Sequence, residues 1–283
     1  MRWRVLAVVT LLALSGCTGF LSGDEPVPTV TPAPVPTDPP DTGPGAMIVP
    51  GVYADGELEP DLLADAHRDV LRETSFVWTE TDNRTGRVAN VTDSTMSYRT
   101  VAFANATRYY FETNGRTDRY QGRRVYYPVY NEYADGEDVY IRALSTSWAA
   151  YRYDRVTAGG SRSRFVRSAT NAVERYLPVG SASIERIESN AGVRYRLTST
   201  QPSETLAPLV EDYRVSVVVT RRGLVQNLTA MYTTERRTRS ETITFTHRYT
   251  SNITDVGNVT VSSPAWLPEA HRRLANGTSL SSP

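Results

Sequence analysis

One thiol, three imidazoles and a large set of carboxylates and arginines make up the chemistry available to this 283-residue chain. Cys17 is the single cysteine, so an internal disulfide and a cysteine metal centre are both excluded. A lone thiol can still be alkylated. Cys17 follows Leu14-Ser15-Gly16 directly, at the end of an apolar run over residues 5–14. The histidines, His67, His247 and His271, lie far apart, and no Gly-x-Ser-x-Gly, His-Glu-x-x-His or calcium-loop pattern occurs. Activated-nucleophile and metal-assisted chemistry therefore have no motif here. His67 reads as an imidazole flanking the apolar face of a helix, and His247 as a hydrogen-bonded core residue. Two carboxylates brought together from distant strands for glycoside hydrolysis remain a remote alternative. The expectation is a non-enzyme with no metal and no cofactor.

The elements that place Cys17 are the first to read. Arg2 and Arg4 precede the apolar run, and Ser15 and Gly16 close it, which is the layout of a secretory signal at residues 1–16. A membrane-spanning helix needs roughly 20 apolar residues, so this run is a targeting device and not an anchor. Leu14-Ser15-Gly16-Cys17 resembles the lipobox of bacterial and archaeal lipoproteins. The resemblance implies that Cys17 carries a diacylglyceryl-type lipid and becomes the mature N-terminus. Residues 17–45 then form a linker, with Pro26, Pro28, Pro32, Pro34, Pro36, Pro39, Pro40 and Pro44 among Thr, Val and Asp. Such a segment builds no core and serves as an extended spacer. The expected location is the cell membrane, lipid-anchored and facing away from the cytoplasm.

Composition narrows the classes of partner. Basic and acidic residues number 31 each, every basic residue is arginine, and no broad basic surface for nucleic acid follows. Lysine avoidance resembles salt-adapted archaeal proteins, which are usually acidic, whereas this chain is neutral. Asn-x-Ser/Thr sequons at Asn83, Asn90, Asn105, Asn227, Asn252, Asn258 and Asn276 make asparagine glycosylation an expectation for an external face.

Residues 46–275 read as one domain, α+β and mainly β, with a loose tail at 276–283. Apolar residues at helical spacing predict helices over 61–73 and 161–177, the second presenting Phe165, Val166, Ala169, Val173, Tyr176 and Leu177. Arg162, Arg164, Arg167, Glu174 and Arg175 are expected to look outward. Between and after the helices the period is two. Examples are Tyr109-x-Phe111, Val215-x-Val217-x-Val219, and Ile243, Phe245, His247 and Tyr249 alternating with Thr242, Thr244, Thr246 and Arg248. A last strand is expected over 258–261. Each helix stripe and one sheet face must bury each other, which predicts one large curved antiparallel sheet with the two main helices on its concave face.

The lipobox, the Pro/Thr linker, the Ala66-His67-Arg68-Asp69 helix, the long antiparallel meanders and Trp266-Leu267-Pro268 resemble a family of uncharacterised haloarchaeal surface lipoproteins. That family is similar in apparent fold to the LolA/LolB-like and LppX/LprG-like carriers. The resemblance implies a half-open barrel with a hydrophobic cavity between sheet and helices. Its expected lining is Phe165, Ala169, Val173, Tyr109, Phe111, Val217 and Phe245. The implied role is binding of a hydrophobic or amphiphilic ligand, a lipid or isoprenoid, by a monomer tethered to the membrane. The alternative is a structural or partner-binding surface lipoprotein with no ligand cavity. Tyrosines, 17 in all, suit either an apolar groove with a wet mouth or the core of a half-polar sheet.

Overall fold

The computed structural model describes residues 43, 45–88, 91–120, 123–146, 150–177, 180–189, 192–204, 206–237 and 241–277. Cys17 with its leader, most of the linker, Asn90 and the tail beyond Gly277 lie outside the described residues.

Three short strands, β1 (Met47–Val49), β2 (Val52–Tyr53) and β3 (Glu57–Leu58), lead into helix α1 (Pro60–Glu73). Next come β4 (Phe76–Val88), β5 (Val91–Asn105), β6 (Arg108–Thr113), β7 (Arg116–Tyr120) and β8 (Arg123–Tyr127). After these run β9 (Val129–Asp135), β10 (Asp138–Leu144) and β11 (Arg152–Thr157). Helix α2 (Ser161–Tyr176) separates them from β12 (Gly180–Ser181), β13 (Ser183–Ser189), β14 (Gly192–Ser199), β15 (Glu211–Thr220), β16 (Val225–Arg237) and β17 (Thr242–Thr254). Helix α3 (Leu267–Ala275) follows.

The main sheet has eleven antiparallel strands in the order β11-β10-β9-β6-β5-β4-β17-β16-β15-β14-β13. Two meanders meet where β4 pairs with β17, in the register Trp78↔Ile253 to Gly86↔Phe245. The sheet does not close, and β11 and β13 are its free edges. On β13, Glu185, Arg186 and Glu188 face solvent, and charge on an open edge discourages strand addition.

Side chains alternate between the two faces of a strand, and the face carrying Trp78, Val101, Phe103, Val217 and Leu228 is buried under α1 and α2. Helix α1 begins with Pro60 in its first turn, carries Asp61 early and Arg72 late, and buries Leu63, Ala64, His67 and Leu71. Proline needs no hydrogen-bond partner there, and the charges complement the helix dipole. Helix α2 buries Phe165, Val166, Ala169, Val173 and Tyr176. Close approach of α1 depends on Gly223, which turns the chain from β15 to β16 at φ +83; a Cβ there would stand 2.5 Å from the Ala66 Cβ.

Three features depart from the sequence expectation. Residues 258–261 form no strand: Val259 N–H bonds to Ser75 Oγ, and Val261 is buried beside Trp266 and Leu267. Apolar alternation there marks anchoring of a loop, not pairing. The following Trp-Leu-Pro segment opens a helix, α3, with Pro268 in its first turn and Glu269 paired to Arg272 and Arg273. It covers Tyr133 and Tyr153 on the sheet face opposite α1 and α2. Finally, β7 and β8 leave the main sheet as a separate hairpin, so β6 pairs directly with β9.

Candidate functional site

Helix α2 lies over β4, β5 and β6, and the space between them is filled by rings. Phe165 meets Tyr109 edge-on at 5.1 Å, Phe103 edge-on at 6.0 Å and Phe111 at 5.5 Å between centroids. Phe103 stacks on Phe76 at 5.5 Å. Such pairs favour offset or edge contacts and lock the helix against the sheet.

The seven expected lining residues fall into three places. Tyr109, Phe111, Phe165 and Ala169 share one cluster with Trp78 and Phe103. Val173 and Val217 share the adjoining cluster with Tyr176, Tyr213, Tyr232 and Tyr249. Phe245 stands apart from both, packed where a side chain on Gly86 would overlap its ring, with the Arg84 and Arg236 guanidiniums 4.8 and 5.2 Å from its centroid. Phe111 and Phe165 line an open crevice, and the other five are buried.

That open space is a crevice beside α2. One part, about 360 Å³, is lined by Trp78, Ser97, Arg99, Phe111, Arg164, Phe165 and Ser168. The adjoining part, about 250 Å³, shares Ser97, Arg99 and Ser168 and adds Glu80, Asp82, Arg175, Tyr176 and Tyr249. Its floor is aromatic because Trp78 and Phe111 project from the core face of β4 and β6. Its rim is charged because Glu80, Asp82 and Arg99 continue along the long strands, while Arg164 and Arg175 come from the edge of α2.

Two carboxylates, one buried and one half-buried, organise the charge. Glu132 on β9 is 3% exposed and accepts both ends of the Arg164 guanidinium, at 3.0 and 2.5 Å, and the Tyr109 hydroxyl at 3.2 Å. A two-pronged arginine contact of this kind fixes both groups in plane. Arg164 therefore reaches back to the sheet instead of looking outward, because a carboxylate buried without a cation would be far more costly than a helix arginine bent inward. Glu80 accepts the Tyr249 hydroxyl at 2.9 Å and has Arg99 at 3.3 Å. Burial pushes the Glu80 carboxyl up, against the pull of Arg99 and the Tyr249 hydroxyl. Burial also raises the Tyr109 and Tyr249 hydroxyls well above their ordinary range, with Glu132 and Glu80 adding to it. Both phenols are hydrogen-bond donors, not bases. Arg175 stacks 5.3 Å over Tyr176 and makes no ion pair among the described residues.

The histidines hold structural positions. His67 is 1% exposed, its Nδ1 accepts the Val225 N–H at 3.2 Å, and burial, with Arg68 adjacent, pushes the imidazole down to about 3. His247 stacks on Tyr232 at 4.7 Å and bonds Thr234 Oγ1 at 2.9 Å. His271 packs against Tyr140. Among the described residues no group of three or more His, Cys, Asp or Glu could hold a metal ion, and no helix is long and apolar enough to cross a membrane. Of the sequons, Asn83, Asn227 and Asn252 lie within β4, β16 and β17, while Asn105 ends β5, Asn258 lies in the loop after β17 and Asn276 follows α3, all three exposed.

Sequence reasoning missed Glu132, Arg164, Glu80, Arg99 and Arg175 as site residues. A signal existed for the first: Glu132 interrupts the core-facing alternation Tyr130, Glu132, Ala134 on an otherwise apolar face.

A family model matches residues 2–270 of the chain, and its description is a family of unknown function, DUF7537. No curated protein matches. Among solved structures, LprF from Mycobacterium bovis is 8% identical, covering 73% of this chain and 97% of its own, with a TM-score of 0.32. A LolA superfamily protein from Nitrosomonas europaea is 9% identical over 72% of this chain and 96% of its own, with a TM-score of 0.23. A DUF1329 family protein from Desulfovibrio piger is 9% identical over 73% and 95%, with a TM-score of 0.18.

Proposed function

The chain belongs to DUF7537, a family of unknown function, and from that premise we propose a non-catalytic, extracytoplasmic lipoprotein that binds an amphiphile beside α2. The tether is a lipid on Cys17. The ligand is a lipid or isoprenoid with an anionic or strongly polar head. One observation carries this reading: a crevice with an aromatic floor of Trp78, Phe111 and Phe165 under a rim that carries Arg99, Arg164 and Arg175. Apolar walls with a few convergent polar groups are the usual make-up of a small-ligand site. Arginine recognises phosphate or carboxylate in its own plane, and Arg175 has its charge available. The rings packed between α2 and the sheet fill the deeper space, so the head is gripped and the tail is only partly withdrawn.

That same filling favours a second reading, a partner-binding surface lipoprotein in which the crevice is only surface relief. Native mass spectrometry separates the two. Protein extracted from its own host's membranes in mild detergent should carry a co-purifying amphiphile. The double variant Arg99→Ala, Arg175→Ala should lose it while retaining the fold. A wild-type protein that arrives without any bound amphiphile sinks the first reading.

A further inference from the structure

The six sequon asparagines among the described residues are equivalent as sequence, but the fold makes them unequal as acceptors. Asn83, Asn227 and Asn252 sit inside β4, β16 and β17, each hydrogen-bonded to a neighbour strand on both sides. Asn227 and Asn252 are register partners, and the Asn227 carboxamide donates to Asn252 Oδ1 at 2.5 Å. In an extended strand the asparagine and the hydroxyl residue two positions on are separated by about 7 Å. The hydroxyl cannot then reach its own sequon's amide, and a ladder on both edges prevents the chain from bending to bring it there.

Asn105 differs in each respect. It ends β5, is exposed, and begins the turn into β6. Within its sequon, the Thr107 N–H and the Thr107 hydroxyl both donate to Asn105 Oδ1, each at 3.0 Å. The turn is held in that form from outside: Ser161 Oγ donates to Ala106 O at 3.0 Å and Gly136 N–H to Thr107 O at 3.0 Å. Two donors on the carboxamide oxygen stabilise the negative charge that develops there when Nδ2 gives up a proton. The reactive nitrogen carries no hydrogen bond among the described residues. Asn258 is exposed too, but no side-chain bond ties its carboxamide to Thr260.

We infer that Asn105 is the acceptor of a carbohydrate chain transferred from a polyprenol-phosphate-linked glycan by a membrane glycosyltransferase. In that step Nδ2 loses a proton to a base of the transferase and forms a bond to the anomeric carbon. The bond from that carbon to the donor's phosphate oxygen breaks, and the polyprenyl phosphate or pyrophosphate leaves with the electron pair. No electron carrier is needed. The inference rests on the extracytoplasmic reading, since the donor and the domain must lie on the same side of the membrane.

The test is glycopeptide mapping of full-length protein from its own host, with cell fractionation of the same sample. The peptide containing Asn105 should carry a glycan mass, and the peptides containing Asn227 and Asn252 should not. Thr107→Val should abolish the modification and Thr107→Ser should keep it, both with an unchanged unfolding midpoint. Occupancy at Asn227 or Asn252 in place of Asn105 overturns the inference. Exported protein with a bare Asn105 overturns the inference and leaves the location standing. Protein confined to the cytosol with its leader intact overturns both.

Discussion

Acidification from pH 7 to pH 4.5 should weaken the joint between α1 and the sheet, through a single imidazole. His67 is packed under α1 with Nδ1 committed to the Val225 N–H, so the folded state holds it neutral, with the proton on Nε2. Burial, with Arg68 adding, places its folded value at about 3, against 6.5 for the free side chain. The sign follows from proton uptake. Between those two values the unfolded chain binds a proton that the folded chain does not, so stability falls as pH falls through 6.5 and levels off near 3. At roughly 1.4 kcal/mol per unit, the loss between pH 7 and 4.5 comes to about 2.5 kcal/mol. Carboxylates and the other histidines titrate in the same range, so the informative quantity is a difference. His67→Gln retains an acceptor for Val225 but has nothing to titrate. Urea unfolding followed by tryptophan fluorescence at pH 7, 6, 5 and 4.5 should show the variant less stable at pH 7, because the ring's packing is lost. The gap should close by about 2.5 kcal/mol at pH 4.5. Wild-type and H67Q stabilities that fall in parallel with pH would refute the buried neutral imidazole.

Two further outcomes concern the crevice and the tether. Arg164→Ala removes the two-pronged arginine from the nearly dry Glu132 carboxylate and should cost about 3 kcal/mol in urea unfolding. The double variant E132Q/R164A should recover part of that loss, because the buried charge is gone; a double variant weaker than R164A alone would contradict the pairing. Cys17→Ser should move the protein from the membrane pellet to the soluble fraction; leader-cleaved C17S that still sediments with membranes removes lipid anchoring from the reading.

Much of the architecture was legible in local pattern. The stripe of Phe165, Ala169 and Val173 predicted α2, and the alternation of Ile243, Phe245 and Tyr249 with threonines predicted β17, because periods of 3.6 and 2 each select one buried face. Where local pattern misled, the cause was non-local. Val259 and Val261 alternate like a strand but find Ser75 and Trp266 instead of a neighbouring ladder. Trp266-Leu267-Pro268 raised no expectation of a helix, because nothing nearby shows that Tyr133 and Tyr153 leave an apolar patch for α3 on the opposite sheet face.

The sequence by itself determined the two main helices, most of the strands and their core faces, the lone modifiable thiol of Cys17 and the absence of any catalytic motif. Only the tertiary structure decided the site. Glu132 and Arg164 are 32 residues apart, and Glu80 and Tyr249 are 169 apart. Neither pair leaves a mark within a window of a dozen residues. Sheet order joined them: β6 beside β9 set Tyr109 and Glu132 under α2, and β4 beside β17 set Glu80 against Tyr249. Periodicity records which face of an element is apolar, whereas a binding site depends on which elements become neighbours, and that is settled by burial of the whole chain at once.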